Sequence, residues 1–264
     1  MVTVEELRAQ YAESSDQLAA STLRTSPIFR NYVRPCCAEI LGTILLVFAS
    51  SLSVIAAPEA ARAVIVSLVQ GVTIAFLYGS LAPISGGHYN PVVSLAVWLG
   101  GGTSFIILLF FMVCQILGAF VGALLFRAVL LRNIYLMSAV TTVPTINFSL
   151  TTIGQAILIE IIGAFIWALA VLLTTVDGNK PPQLASSFVG SAVFIASLLS
   201  YPLAKGALNP ARALGSTLAY NVFADGEWHD HYVFWVGPFI GATIAAALYR
   251  LLLANDDKRL LFKK

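Results

Sequence analysis

Charge is what this sequence has least of. Asp, Glu, Lys and Arg make up 11% of its 264 residues, where a soluble domain carries about 25%. Such a chain lacks the polar excess of a disordered one. Three cysteines, Cys36, Cys37 and Cys114, are too few and odd in number for a disulfide scaffold. A net charge of +2 gives no case for a nucleic-acid partner. The first 34 residues are polar, with Glu5, Glu6, Glu13 and Asp16, and lack the apolar stretch of a signal peptide. There is no nucleotide loop, no metal-ligand pair at catalytic spacing and no nucleophile beside a base. Neither an enzyme nor a bound cofactor is expected.

What is present is apolar: 58% of the residues are hydrophobic. A helix needs about 20 apolar residues to cross a hydrocarbon core about 30 Å thick. Six stretches qualify, at 35–57, 63–82, 102–131, 153–175, 185–203 and 232–253. Two shorter ones, 88–99 and 208–220, are too short to cross and read as re-entrant. The fold expected is an all-α membrane protein of six spans and two half-helices. Residues 1–34 form a tail with some amphipathic helix from Val4 to Tyr11, and 254–264 a second tail.

Lys and Arg near span ends set orientation. Arg8, Arg24, Arg30 and Arg34 lie in one tail, and Lys258, Arg259, Lys263 and Lys264 in the other. Six spans put both tails on one side, the cytoplasm. The loop 132–152 is then extracellular and contains a glycosylation sequon at Asn147. The loop 221–231, with Asp225, Glu227 and Asp230, is also outside. The plasma membrane is the expected location. Tail serines Ser14, Ser15 and Ser26 are conceivable phosphorylation sites, and Cys36 and Cys37, near the cytoplasmic face, read as buried free thiols.

The chain repeats itself. Asn90-Pro91-Val92 opens one short stretch, and Asn209-Pro210-Ala211 opens the other 119 residues later. Glu39-Ile40-Leu41-Gly42 is echoed by Glu160-Ile161-Ile162-Gly163, and Gly118-Ala119-Phe120 by Gly241-Ala242-Thr243. Residues 35–131 and 153–253 are therefore two repeats. Three spans per half is an odd number, so the halves insert with opposite orientation and the site is expected at the midplane between them. Gly118, Gly122 and Gly241 read as close-packing positions between helices.

Each Asn-Pro pair has a physical reading. Asparagine suits an N-cap, and proline fits the first helical turn, where a missing N–H costs nothing. Each pair therefore starts a half-helix inside the membrane, at 90–99 and 209–220. Non-helical backbone at that depth is tolerated where it is buried in protein or lines a watery cavity. Two helix N-termini place positive potential where they meet, and each asparagine amide has donors to offer.

Two boxes of this kind, Ser85-Gly86-Gly87-His88-Tyr89-Asn90-Pro91-Val92 and Asn209-Pro210-Ala211-Arg212, resemble those of the major intrinsic proteins, the aquaporins, over residues 35–253. Val92 stands where that family usually has alanine; an apolar exchange there implies a small packing change and an open pore. Within the family, Pro35-Cys36 and the Gly-Gly-His before the first box are most similar to the animal aquaammoniaporin-like branch. That branch often has histidine where this chain has Gln70.

The resemblance implies pore roles for particular residues. Asn90 and Asn209 would each donate to a passing water and so break the hydrogen-bonded wire that protons need. Arg212 would stand at the outer constriction, joined by Gln70, Ser197 and Gly206, the positions at the family's distances from the two asparagines. A charge buried in a membrane is functional by default. Water-selective members commonly have an aromatic residue and a histidine at the first two of these places, so this filter is expected to be wider, and polar. Ala213 in place of an aspartate, and Phe234-Trp235 early in the last span, favour the water-type members over the glycerol-type. Glu39 and Glu160 would accept hydrogen bonds from the loops before the half-helices. His88 would brace its loop, and His229 and His231 would lie in a solvated one, with no metal.

The function expected is a passive channel for water, with hydrogen peroxide or ammonia as further neutral solutes, in a homotetramer with one pore per subunit. Its partners would be those solutes and the bilayer. The alternatives are a secondary transporter of a small solute, which inverted repeats with broken helices also build, and a closed-pore structural or junctional membrane protein.

Overall fold

The computed structural model describes residues 3–6, 8, 10–11, 26–177, 182–224, 226 and 228–261, without the side chains of 140, 182 and 183. Glu13, Ser14, Ser15, Asp16, Arg24, Asp225, Glu227, Lys263 and Lys264 lie outside the described residues. The chain divides into two units, Met1–Pro35 and Cys36–Lys264. In the first, the described residues between Val4 and Tyr11 are helical and exposed, and Glu6 accepts from the Thr3 N–H. The second carries both Asn-Pro boxes.

Six helices are long and apolar enough to span a bilayer: α1 (Phe29–Ala56), α2 (Glu59–Ser85), α4 (Phe105–Ala128), α6 (Ile153–Val176), α7 (Leu184–Ala204) and α9 (Val233–Leu253). Two short helices, α3 (Pro91–Leu99) and α8 (Pro210–Asn221), follow the two asparagines. The protein is a multi-pass, all-α membrane protein with the expected six spans and two half-helices, and no strand occurs among the described residues. The ends sit within a few residues of the hydropathy limits. The first span begins at Phe29 rather than 35, through a π-helical turn, Phe29–Val33.

Caps explain several starts. Ser104 accepts from the Ile107 N–H, and Thr152 and Gln155 cap each other's backbone reciprocally. The connection 132–152 is not all loop: α5 (Arg132–Thr142) lies within it. Tyr135 buries its ring beside Phe126 and Phe223, under the Arg127 guanidinium. Mean apolarity is low there, so no hydropathy window marks it.

Spans pack through missing side chains. A Cβ at Gly118 would lie 2.6 Å from the Ile40 carbonyl oxygen, and one at Gly241 would lie 2.2 Å from that of Ile161. These are matching contacts, α4 on α1 and α9 on α6. In lipid, where apolar surface gives helices little reason to associate, such backbone approach is what holds them. The outward faces are apolar, with Phe76, Phe110, Leu158 and Phe188 exposed.

Candidate pore and selectivity filter

The repeat is written most clearly in the backbone before each half-helix. Gly86, Gly87 and Tyr89 have φ of 90°, 73° and 50°. Their counterparts 119 positions later, Lys205, Gly206 and Leu208, have 58°, 58° and 50°. Left-handed conformation is unfavourable for side-chain-bearing residues, so its recurrence at matched places reflects a turn that both halves need. Pro83 and Pro202 lie at matched positions as well, each two residues before the end of its span.

Each turn is held by a buried carboxylate. Glu39 accepts from the backbone N–H of His88 (3.0 Å) and Tyr89 (2.6 Å), from Ser85 Oγ (2.6 Å) and from Gln115 Nε2 (2.7 Å). Glu160 accepts from the Leu208 N–H (2.8 Å) and Ser200 Oγ (2.7 Å). Buried backbone donors must find partners, and these carboxylates supply them. Around Glu39 the network extends further: Gln115 also donates to Ser94 Oγ (2.9 Å), which lies 3.0 Å from His88 Nδ1. Sequence reasoning missed Gln115, Ser85 and Ser94. The second half carries Ala213 and Pro238 at the places matching Ser94 and Gln115, so the repeat gives no sign of them.

The asparagines then close the centre. Asn90 Oδ1 accepts from the Val92 N–H (3.1 Å), and Asn209 Oδ1 from Ala211 (3.0 Å) and Arg212 (3.2 Å). Asn90 Nδ2 donates to the Leu208 carbonyl at 2.9 Å, and Asn209 Nδ2 donates to the Tyr89 carbonyl at 2.8 Å. The two loops are thus tied across the molecule. An amide nitrogen has two N–H groups; one on each asparagine is used here, and the other is left to donate elsewhere. Val92 is buried in the apolar core.

Three of the four residues expected at the filter are brought together directly. A Cβ at Gly206 would lie 2.7 Å from Ser197 Oγ, and the Gly206 carbonyl accepts from Arg212 Nη1 at 3.3 Å. Gln70 stands on α2, where its neighbour Gly71 packs against Gly190 and Phe194 of α7, one turn from Ser197. All of these side chains are buried, with Arg212 3% exposed. Gln70 Nε2, Ser197 Oγ and Arg212 Nε have no hydrogen-bond partner among the described residues. Buried polar atoms are nearly always satisfied, so three such orphans stand out among the residues expected at the filter.

A cavity of about 280 Å³ reaches His88, between Ser85, Gly101, Thr175 and Lys258. The tail that carries Lys258 is docked: Asp177 accepts from Tyr249 Oη (2.9 Å) and the Asn255 N–H (3.1 Å), and Lys258 donates to the Val176 carbonyl.

Other expectations need correction. His231 is not solvated: its ring is buried between Trp228 and Phe234, while His229 is exposed and pairs with Asp230. Cys36 is only half-buried and Cys37 is exposed. No His, Cys, Asp and Glu cluster suited to a metal occurs among the described residues. Asn147 is present in its loop, with Nδ2 donating to the Pro202 carbonyl (3.3 Å).

Six spans around two half-helices that meet at capped asparagines define a membrane channel. The family model for the major intrinsic proteins matches residues 27–249. Aquaporin-8 of Rattus norvegicus is 29% identical over 235 residues, covering 89% of this chain and 87% of that one. Aquaporin A of Dictyostelium discoideum is 36% identical over 223 residues, covering 81% and 77%. The aquaglyceroporin from Plasmodium falciparum shares the fold, with a TM-score of 0.72 at 24% identity over 83% of this chain and 95% of that one. The chain belongs to the major intrinsic protein family, the aquaporins. It is a passive channel for water and small solutes, not an enzyme, and the similarity to Aquaporin-8 fits the animal branch that its motifs resemble.

Proposed function

We propose that the pore runs past Asn90 and Asn209 to a filter made by Gln70, Ser197, Gly206 and Arg212. It conducts water in single file and excludes protons. The observation that carries this reading is the crossed pair of hydrogen bonds from the two asparagines to the opposite loops. It leaves one N–H on each, at the point where two helix N-termini converge. A water that accepts from both cannot accept from its neighbours, and the helix ends repel cations.

Gln70 and Ser197 give a polar filter without aromatic bulk, which suits hydrogen peroxide and ammonia as additional solutes. Glu39 and Glu160 are structural, each taken up by the loop donors it satisfies, and asparagines stand at the midplane where a transporter usually carries a titratable pair. The functional unit is a homotetramer with one pore per chain. Both termini lie in the cytoplasm of a plasma-membrane protein, and Asn147 faces outward as a glycosylation acceptor. The two repeats, 35–131 and 153–253, are the halves of one pore.

Stopped-flow light scattering on proteoliposomes tests this directly. Fast shrinkage with low activation energy in an osmotic step, slowed by Gln70→Trp, is expected. Rates equal to bare lipid with correctly inserted protein would overturn the water-channel reading; wild-type speed in the Gln70→Trp protein would remove Gln70 from the pore.

A further inference from the structure

One end of the proposed pore gathers positive charge that forms no ion pair among the described residues. Val54, Val66 and Tyr201 share a small apolar cluster with Ala63, which brings the start of α2 against the end of α7. Arg62 precedes Ala63, and Lys205 follows the last residue of α7. Lys205 Nζ lies 5.9 Å from the centre of the Tyr201 ring. Tyr201 is within electrostatic reach of both Arg62 and Arg212, and Lys205 is within reach of Arg62.

The ion pairs among the described residues are His229–Asp230 and Arg259–Asp256, so none of these three cations is ion-paired there; Glu160 is within electrostatic reach of Arg212, but not of Arg62 or Lys205. Like charges crowded together repel unless something compensates. Burial, and then the Arg62 charge, push the Lys205 amine below its usual range. Separately, Tyr201 is 6% exposed and its hydroxyl has no hydrogen-bond partner among the described residues, and the same holds for the buried Arg62 Nε. A phenol that deeply buried ordinarily finds a partner. Lys205 also occupies a left-handed position, φ 58°, where the first half has Gly86. A lysine there bears a cost that glycine avoids.

Orphaned donors on Arg62, Tyr201 and Arg212 beside cations that form no ion pair among the described residues describe an anion site. We propose that Arg62, Tyr201 and Lys205, together with Arg212, seat one small monovalent oxyanion at the mouth of the pore. A planar oxyanion matches the guanidinium fork and accepts from the phenol and the amine. Its position over the pore rests on the reading of Arg212 as a filter residue; the seat itself does not.

The probe is nitrate, with gluconate at equal ionic strength as the bulky control. Thermal unfolding of the detergent-solubilised full chain reads binding. In the wild type, nitrate at ten times Kd is expected to raise Tm by about 3 °C relative to gluconate, and to saturate. Arg62→Gln and Lys205→Gly each remove a cation while keeping the local backbone, and are expected to abolish that rise while still conducting water. An equal response to nitrate and gluconate in the wild type overturns the seat. So does a nitrate response that survives both substitutions. A second arm measures osmotic water permeability in proteoliposomes with nitrate on both sides, where at least a twofold slowing is expected in the wild type alone. Binding lost in the variants without any effect of nitrate on flux would keep the seat and count against the placement of Arg212 in the pore.

Discussion

Tyr89 lies over Gly42 so closely that a Cβ at Gly42 would stand 2.2 Å from the ring. The relation has a twin in the second half, where a Cβ at Gly163 would meet Leu208 Cδ2 at 2.3 Å. In both, the glycine sits three residues after the glutamate that holds the same loop. One helical turn therefore supplies an acceptor for the loop's N–H groups and the space for the residue before the asparagine.

Gly42→Ala should destabilise more than Gly163→Ala. Tyr89 is a rigid, fully buried ring whose hydroxyl donates to the Leu77 carbonyl, so it has nowhere to move. Leu208 can change rotamer. Overpacking of this kind costs about 1–3 kcal/mol, and Gly42→Ala should fall at the upper end. Thermal unfolding of the two variants in detergent checks the order; equal Tm values would contradict it.

Glu39→Gln and Glu160→Gln separate a structural carboxylate from a proton relay. A glutamine turns an NH2 group toward donors that need an acceptor, and each buried donor left unsatisfied costs about 1–3 kcal/mol. Glu39 serves four donors, so Glu39→Gln should lower Tm and folded yield more than Glu160→Gln. Water flux per folded channel should stay near wild type in both. A loss of flux with normal Tm would point to a role in conduction.

His231 gives the fold a pH dependence. Burial pushes its imidazole below the ordinary value of 6.5, partly offset by a hydrogen bond to the Ala213 backbone. The folded state then holds the neutral form where the unfolded chain takes up a proton. Its contribution to stability is complete above about pH 6.5 and is lost as the pH falls from there toward the depressed folded value. Tm measured from pH 8 to 5 should decline more steeply in the wild type than in His231→Phe. Parallel curves would remove His231 as the cause.

Much of this fold is legible in the sequence. The Asn90 and Asn209 boxes carry three signals at once, in the cap, the proline and the offset, and both half-helices begin there. The six spans follow from length and apolarity alone. The partners of Glu39 are hidden because Gln115 and Ser94 come from other elements and have no counterparts in the second half. The fit of Tyr89 on Gly42 joins residues 47 positions apart, a relation that no local pattern encodes. The helix α5 escapes a reading by periodicity because tertiary contacts of Tyr135 hold it in place. His231 reads as a loop residue because its burial depends on Trp228 and Phe234 closing around it.

Arg212→Val tests how charge exclusion is shared between the filter and the half-helix ends. The guanidinium is buried and tied to the chain by its bond to the Gly206 carbonyl. Removing one fixed cation about 4 Å from a passing ion, at an effective dielectric of about 20, takes away about 4 kcal/mol of repulsion. That exceeds the about 1.4 kcal/mol that separates rates by tenfold. Proton or small-cation leak, read from a pH-sensitive dye in proteoliposomes, should therefore rise by more than about tenfold. Water permeability should be kept or increased, because the smaller side chain would widen the proposed filter beside Gly206 and Ser197. If the leak stays at the wild-type level, the barrier lies wholly at Asn90 and Asn209, where the half-helix N-termini remain in place. If water permeability falls, Arg212 holds the Gly206 loop open rather than filtering what passes it.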